Sequence, residues 1–196
     1  MPRGYHHGDL RATLVETSLT LIAEQGVGAF SVAEIARRAG VSQAAPYRHF
    51  ADRDALLAAV AMAVADQLAE RIRTAAAERD DPVGKLAAAL GAYTRYMIER
   101  RAGLHVIYAD GLLGPKYAEL HGHTRALMDE LLTLSFAAAS DAQAGLALME
   151  QLLAQAHGYA TFYLDGVLET HGYSKDLVVE KSEEAARVVI RGRNSE

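Results

Sequence analysis

The densest run of side chains able to do chemistry is Gln43-Ala44-Ala45-Pro46-Tyr47-Arg48-His49, which holds an amide, a phenol, a guanidinium and an imidazole but no carboxylate. Phenol and imidazole donate to phosphate oxygens, a guanidinium pairs with them, and a glutamine amide can bond an adenine edge through both of its groups. Ala44 and Ala45 beside that glutamine leave room for close approach and for contact with thymine methyl groups. Ser42 precedes the run as a potential helix cap, and Arg53 adds a cation just beyond it. An acid-free amphipathic helix of this composition suits a phosphate-lined groove.

Other chemistries find no support in the sequence. His121 and His123 stand two residues apart, so on a helix their imidazoles would diverge by about 200°. No Glu-x-x-His or His-Glu-x-x-His spacing occurs, nor a nucleophile-elbow motif. With no cysteine there is no disulfide and no thiolate metal site, which fits a reducing, cytoplasmic compartment. The expectation is therefore no catalytic residue, no metal, no cofactor and no enzymatic activity.

The elements that must position the run are helical. Alanine and leucine dominate a chain of 196 residues with only four prolines, and 51% hydrophobic against 23% charged residues is the balance of a globular protein. The longest apolar stretch, Ala55 to Ala65, falls well short of the ~20 residues a membrane span needs. A first helix is predicted from about Asp9 to Gln25, stopped by Gly26. Ser31-Val32-Ala33-Glu34 reads as a capping box opening a second, short helix that Gly40 ends in a left-handed turn. A third is expected from Ser42 through Phe50, with Pro46 tightening its first turn without breaking it. Asp52 or Asp54 opens a fourth, about 54–77. The link Gly40-Val41-Ser42 is too short for parallel packing, so the second and third helices must cross steeply as a helix-turn-helix. Past the polar break Glu78–Pro82, helices are predicted at roughly 83–101, 104–112, 116–139, 142–168 and 175–190, with a frayed tail from Gly192.

Charge divides the chain in the same way. The net charge is −5, yet residues 1–56 carry six Lys/Arg and six Asp/Glu, so the whole deficit lies beyond them. A polyanion would therefore meet the first quarter. The leading Arg3-Gly4-Tyr5-His6-His7 could serve as an arm reaching nucleic acid or be a plain terminus.

Ser31-Val-Ala-Glu-Ile-Ala-Arg-Arg-Ala-Gly-Val-Ser-Gln-Ala-Ala-Pro-Tyr-Arg-His-Phe50, followed by Asp54-Ala-Leu-Leu57, resembles the TetR/AcrR family of transcriptional repressors over roughly residues 9–60. The resemblance implies an all-α protein, with a three-helix DNA-binding domain at 1–56 and an effector-binding and dimerisation domain at 57–196. It also implies phosphate contacts from Tyr47, His49 and Arg53, base-edge contacts from Gln43, Ala44 and Ala45, and a place near the backbone for Ser31. Ser42 and Arg48 complete the expected DNA-binding set. The implied partners are double-stranded operator DNA, a second copy of the chain and a small effector, with no membrane.

Resemblance beyond residue 60 is confined to Ala156-His157-Gly158-Tyr159, similar to a subgroup named for a Trp-His-Gly signature whose tryptophan this chain lacks. Seven of the nine tyrosines lie in this larger part. Tyr93, Tyr96, Met97, His105, Tyr108, Met128, His157 and Phe162 are the candidate lining of a pocket for an apolar or aromatic effector. The family's four-helix interface maps to 142–168 and 175–190 and their copies, and its switch to a tilt of the fourth helix. The competing readings are a helical small-molecule-binding or scaffolding protein that does not bind DNA, and an activator of the same family.

Overall fold

The computed structural model describes residues 10–101 and 103–193, so the expected arm at Arg3–His7 and the tail beyond Arg193 lie outside the described residues. Among the described residues the chain forms α-helices and short 3-10 turns with no strand. The α-helices are α1 (Leu10–Gln25), α2 (Val32–Arg38), α3 (Arg53–Ala77), α4 (Pro82–Arg100), α5 (Gly103–Ile107), α6 (Ala118–Ala138), α7 (Ala142–Leu164), α8 (Val167–Thr170) and α9 (Lys175–Arg193). No helix is long and apolar enough to cross a membrane.

Four helix starts share one device. The carboxylates of Asp52, Asp81 and Asp141 accept the backbone N–H of Ala55, Gly84 and Ala144 at 2.7, 2.8 and 2.9 Å, and the Ser174 hydroxyl accepts that of Leu177 at 3.2 Å. Each satisfies an amide that the first turn leaves without a carbonyl. Two predicted helices are shorter than their patterns suggested. The chain leaves α-geometry after Ile107 through three-residue turns at Ala109 and Leu112. The stretch expected to run unbroken over 142–168 is divided at Gly166, which adopts φ +76° between α7 and α8. Conversely, α9 continues to Arg193.

The chain divides into two compact units. The first gathers the chain up to Val64 with Arg100–His121, and the second gathers Ala65–Glu99 with Gly122 onward. In the first unit, Leu14, Leu19, Leu21 and Ile22 of α1, Ile35 of α2 and Leu56 of α3 are wholly buried. This core is built from helices whose apolar residues recur at three and four positions, one face of each helix being turned inward.

In the second unit, α4 contributes the largest buried face, and α7 and α9 pack against each other through small and medium residues, among them Leu152, Ala156, Val178 and Ile190. A polar knot sits within it. The Thr94 hydroxyl donates to the Leu90 carbonyl at 2.9 Å, which leaves Ser182, 2.8 Å away, as the donor to Thr94. Both are fully buried, so the pairing satisfies groups that would each cost about 1–3 kcal/mol if left alone. Near the start of α7, Gly145 is required by its neighbour: a β-carbon there would collide with the Phe136 ring of α6 and stand 3.2 Å from its Cα. Gly145→Ala should cost about 1–3 kcal/mol of stability, read as a lowered urea midpoint at unchanged helical circular dichroism.

Candidate nucleic-acid interface

The interface is built on a helix ending. In α2 the backbone N–H of Val41 reaches the Ala36 carbonyl at 3.0 Å and that of Gly40 reaches Arg37 at 3.2 Å, the two bonds of a Schellman motif. Gly40 adopts φ +70°, where a side chain would be strained. The predicted left-handed stop is thus present. The predicted capping box is not: Ser31 adopts the extended cap conformation, but its side chain makes no cap bond. Glu34 is engaged elsewhere, accepting from Arg37 at 2.7 and 2.8 Å and from Arg38 at 2.8 Å. Two guanidinia outcompete one amide for a carboxylate. The hydrogen bonds from Arg37, then Arg38, hold the Glu34 carboxyl down at about 2. Arg38 also bonds Glu24 of α1, tying α2 to its neighbour.

The segment expected to be a third α-helix from Ser42 to Phe50 takes another form. Its backbone closes through three-residue turns, Ala45 N–H to Ser42, Arg48 to Ala45 and His49 to Pro46, and its only regular piece is a 3-10 turn at Pro46–Arg48. Proline explains the change. Pro46 has no N–H to reach back to Ser42, and its ring, which is buried, crowds the preceding turn. Phe50 is buried as well, so the segment is pinned to the core at both residues.

Between those anchors the functional side chains face solvent. Ser42, Gln43, Ala44, Tyr47, Arg48 and His49 are all exposed, Tyr47 at 56%, and Ala45 is half-buried. Seven of the nine predicted DNA-binding residues, Ser42 to Ala45 and Tyr47 to His49, thus share one short, acid-free segment, with Ser31 and Arg53 outside it. Arg48 enters no ion pair with a described residue, whereas Arg53, at the start of α3, pairs with Asp54 at 3.1 Å and lies over the Phe30 ring at 5.1 Å. Ser31 is half-buried beside the start of α2. The sequence did not reveal the Glu24–Arg38–Glu34–Arg37 network, although Glu34 lies three and four residues ahead of the two arginines.

The eight residues proposed for an effector pocket are divided between the two units. Tyr93, Tyr96 and Met97 are buried in the second unit, where the Tyr93 hydroxyl bonds His157 Nδ1 at 3.0 Å and the Tyr96 hydroxyl donates to Gln67 at 3.3 Å. Met128 is half-buried and Phe162 is 56% exposed. His105 and Tyr108 belong to the first unit and line a cleft there with Arg53, Leu57 and Asp110. A recess of the second unit, about 400 Å³, is lined by other residues, with Ala88, Ala92 and Val179 beside Arg71, Arg79 and Arg95 and the carboxylates of Glu70, Glu78 and Glu183. Among the described residues no cluster of three or more His, Asp or Glu could hold a metal ion.

Residues 14–60 match the family model described as bacterial regulatory proteins, tetR family. No curated protein matches the chain. Among solved structures, a protein of unknown function from Rhodococcus sp. RHA1 is 29% identical at a TM-score of 0.79, with 98% of this chain and 100% of that one covered. A transcriptional regulator from the same organism is 21% identical at a TM-score of 0.71, covering 94% and 97%. A TetR-family transcriptional regulator from Streptomyces coelicolor is 19% identical at 0.70, covering 95% and 90%. At the lower identities the likeness is one of fold.

The depressed Glu34 carboxyl carries a pH dependence of known sign. Its bonds to Arg37 and Arg38 contribute stability in full above the ordinary value of 4.5, and that contribution is lost as pH falls toward about 2. Thermal melts of wild type and Glu34→Gln should therefore differ at pH 6, by a modest amount because the group is solvent-exposed, and converge only as pH approaches about 2.

Proposed function

We propose that the chain, a member of the tetR family through its DNA-binding domain, is a homodimeric repressor that a small-molecule effector releases from operator DNA. One observation carries the reading. Gln43, Tyr47, Arg48 and His49 stand exposed on a segment that carries no carboxylate of its own and is anchored at Pro46 and Phe50. In this reading Tyr47, His49 and Arg48 meet phosphates and fix the register, Arg53 adds a phosphate contact, and Gln43 with Ala44 and Ala45 reads base edges. Ser31 and Ser42 lie near the backbone. Residues 1–56 act as reader and 57–196 as effector and dimer domain.

Two copies are needed because one short segment fills a single major groove, and a second must enter the next one ~34–36 Å away. Support for pairing comes from α7 and α9, which leave Leu146, Phe162 and Val188 exposed. Helices from two copies would cover such side chains in a four-helix arrangement. The effector would enter the second unit, with an apolar or aromatic body suited to Ala88, Ala92 and Val179 of its recess. Its signal has a continuous carrier, since α3 begins at Arg53 in the first unit and ends at Ala77 in the second. Release by a hundredfold requires ~2.7 kcal/mol of differential affinity, within the range of allosteric couplings.

Substitutions separate the assigned roles. Tyr47→Phe should weaken binding to a selected site and to random duplex alike, whereas Gln43→Ala should cost ~1–3 kcal/mol at one base and flatten preference there. Selection from a randomised duplex pool, followed by fluorescence anisotropy in defined salt, reads both. A chain that retains no duplex under any condition would leave the helical segment a packing element, as in a scaffolding protein. For the second copy, sedimentation of Val188→Asp should show a shift toward monomer.

A further inference from the structure

The first unit contains a second recess, of about 280 Å³, whose lining shares only His49 with the proposed DNA contacts. Its floor is apolar, made by Phe50, Met62, Leu120 and alanines of α3. Its rim holds Arg11, His49 and Lys116 against a single carboxylate, Glu119. All of these lie in one compact unit.

Two details mark the recess as more than a gap in packing. The first is Tyr117, which lines it. This residue is 92% buried, as only 8% of it is accessible, yet its hydroxyl has no hydrogen-bond partner among the described residues. A buried hydroxyl without a partner costs about 1–3 kcal/mol, and native proteins keep few of them. The Lys116 ammonium lies over the face of the Tyr117 ring, 4.7 Å from its centroid, and its interaction with that side chain, with Asp52 and Asp54 farther off, raises the lysine's pKa, while the hydroxyl keeps no partner of hydrogen-bond geometry among the described residues. The second detail is the state of the rim cations. Arg11 lies over the Phe50 ring at 5.3 Å, and neither Arg11 nor Lys116 forms a salt bridge with a described residue. Both are exposed. Ring faces and charge thus surround an apolar floor, the arrangement that receives a flat or short hydrocarbon bearing one negative group.

We propose that this recess binds a small monocarboxylate with an apolar body, its carboxylate held by Arg11 and Lys116 and an oxygen bonded by the Tyr117 hydroxyl. His49 lies on the same rim and, in the function proposed above, contacts a DNA phosphate. A carboxylate bound there competes with that phosphate for the same side of His49, so ligand and DNA exclude each other within the reader unit. The coupling rests on the reading of His49, whereas ligand binding does not, and the two are measured apart.

Benzoate is the probe, with acetate as the carboxylate lacking an apolar body. Titration calorimetry on the full chain should show saturable binding of one benzoate per chain and much weaker binding of acetate. Tyr117→Phe should weaken benzoate about fivefold and Lys116→Ala about tenfold, with circular dichroism unchanged. No saturable benzoate binding, acetate equal to benzoate, or affinities unchanged in both variants would overturn the site. In a second experiment, anisotropy with a random duplex is followed as benzoate replaces chloride at constant ionic strength. DNA should be released from wild type and from neither variant at the same concentration. Retention of DNA by benzoate-saturated wild type overturns the competition while leaving the site. A weaker grip of Lys116→Ala on the duplex without benzoate assigns the recess to a DNA phosphate and overturns the proposal.

Discussion

The exposed face of the first unit depends on the backbone reversal at Gly40. Its left-handed φ lets Val41 and Gly40 close back onto Ala36 and Arg37, which satisfies the last carbonyls of α2 and ends the helix within one residue. A longer exit would let the following segment lie along α2. The abrupt one sends it away, so that Pro46 and Phe50 fall on the core and the residues between them fall outside. Exposure of Gln43, Tyr47, Arg48 and His49 is a geometric result of that turn together with those two anchors.

Much of this was readable in advance, and the reasons are local. The Gly40 stop, the Asp52 cap and the continuous helix to Ala77 each depend on residues within four positions of one another. What escaped was decided by competition or by distance in sequence. Ser31 and Glu34 form a capping-box pattern, but the pattern does not record that Arg37 and Arg38 bid for the same carboxylate. Pro46 announces a missing amide, yet whether one lost bond tightens a helix or replaces it with three-residue turns depends on where the ring is buried. Gly166 sits inside an apolar periodicity that runs on past it, and only the backbone records the break.

The larger part of the chain was less readable for a related reason. Its tyrosines could be counted but not assigned, since walls of a cavity and members of a core have the same composition. Tyr93 and Tyr96 prove to be buried with their hydroxyls engaged by His157 and Gln67, partners 64 and 29 residues distant in the chain. The Thr94–Ser182 pair spans 88 residues and leaves no periodic trace at all. Approximate helix placement outside residues 42–50 survives such ignorance because amphipathic spacing sets it. Which side chains meet does not.

The three-residue turns of the 42–50 segment also bear on how such a protein diverges. An α-helix carries its own ladder of bonds and keeps its shape when moved, whereas this segment has too few bonds of its own to do so. Its form is lent to it by the buried residues beneath. Changes in the core against which Pro46 and Phe50 are buried can therefore shift the outline that Gln43 and His49 present. Inherited variation in the hydrophobic core becomes a route to new binding preferences, open to lineages in which every outward-facing residue stays the same.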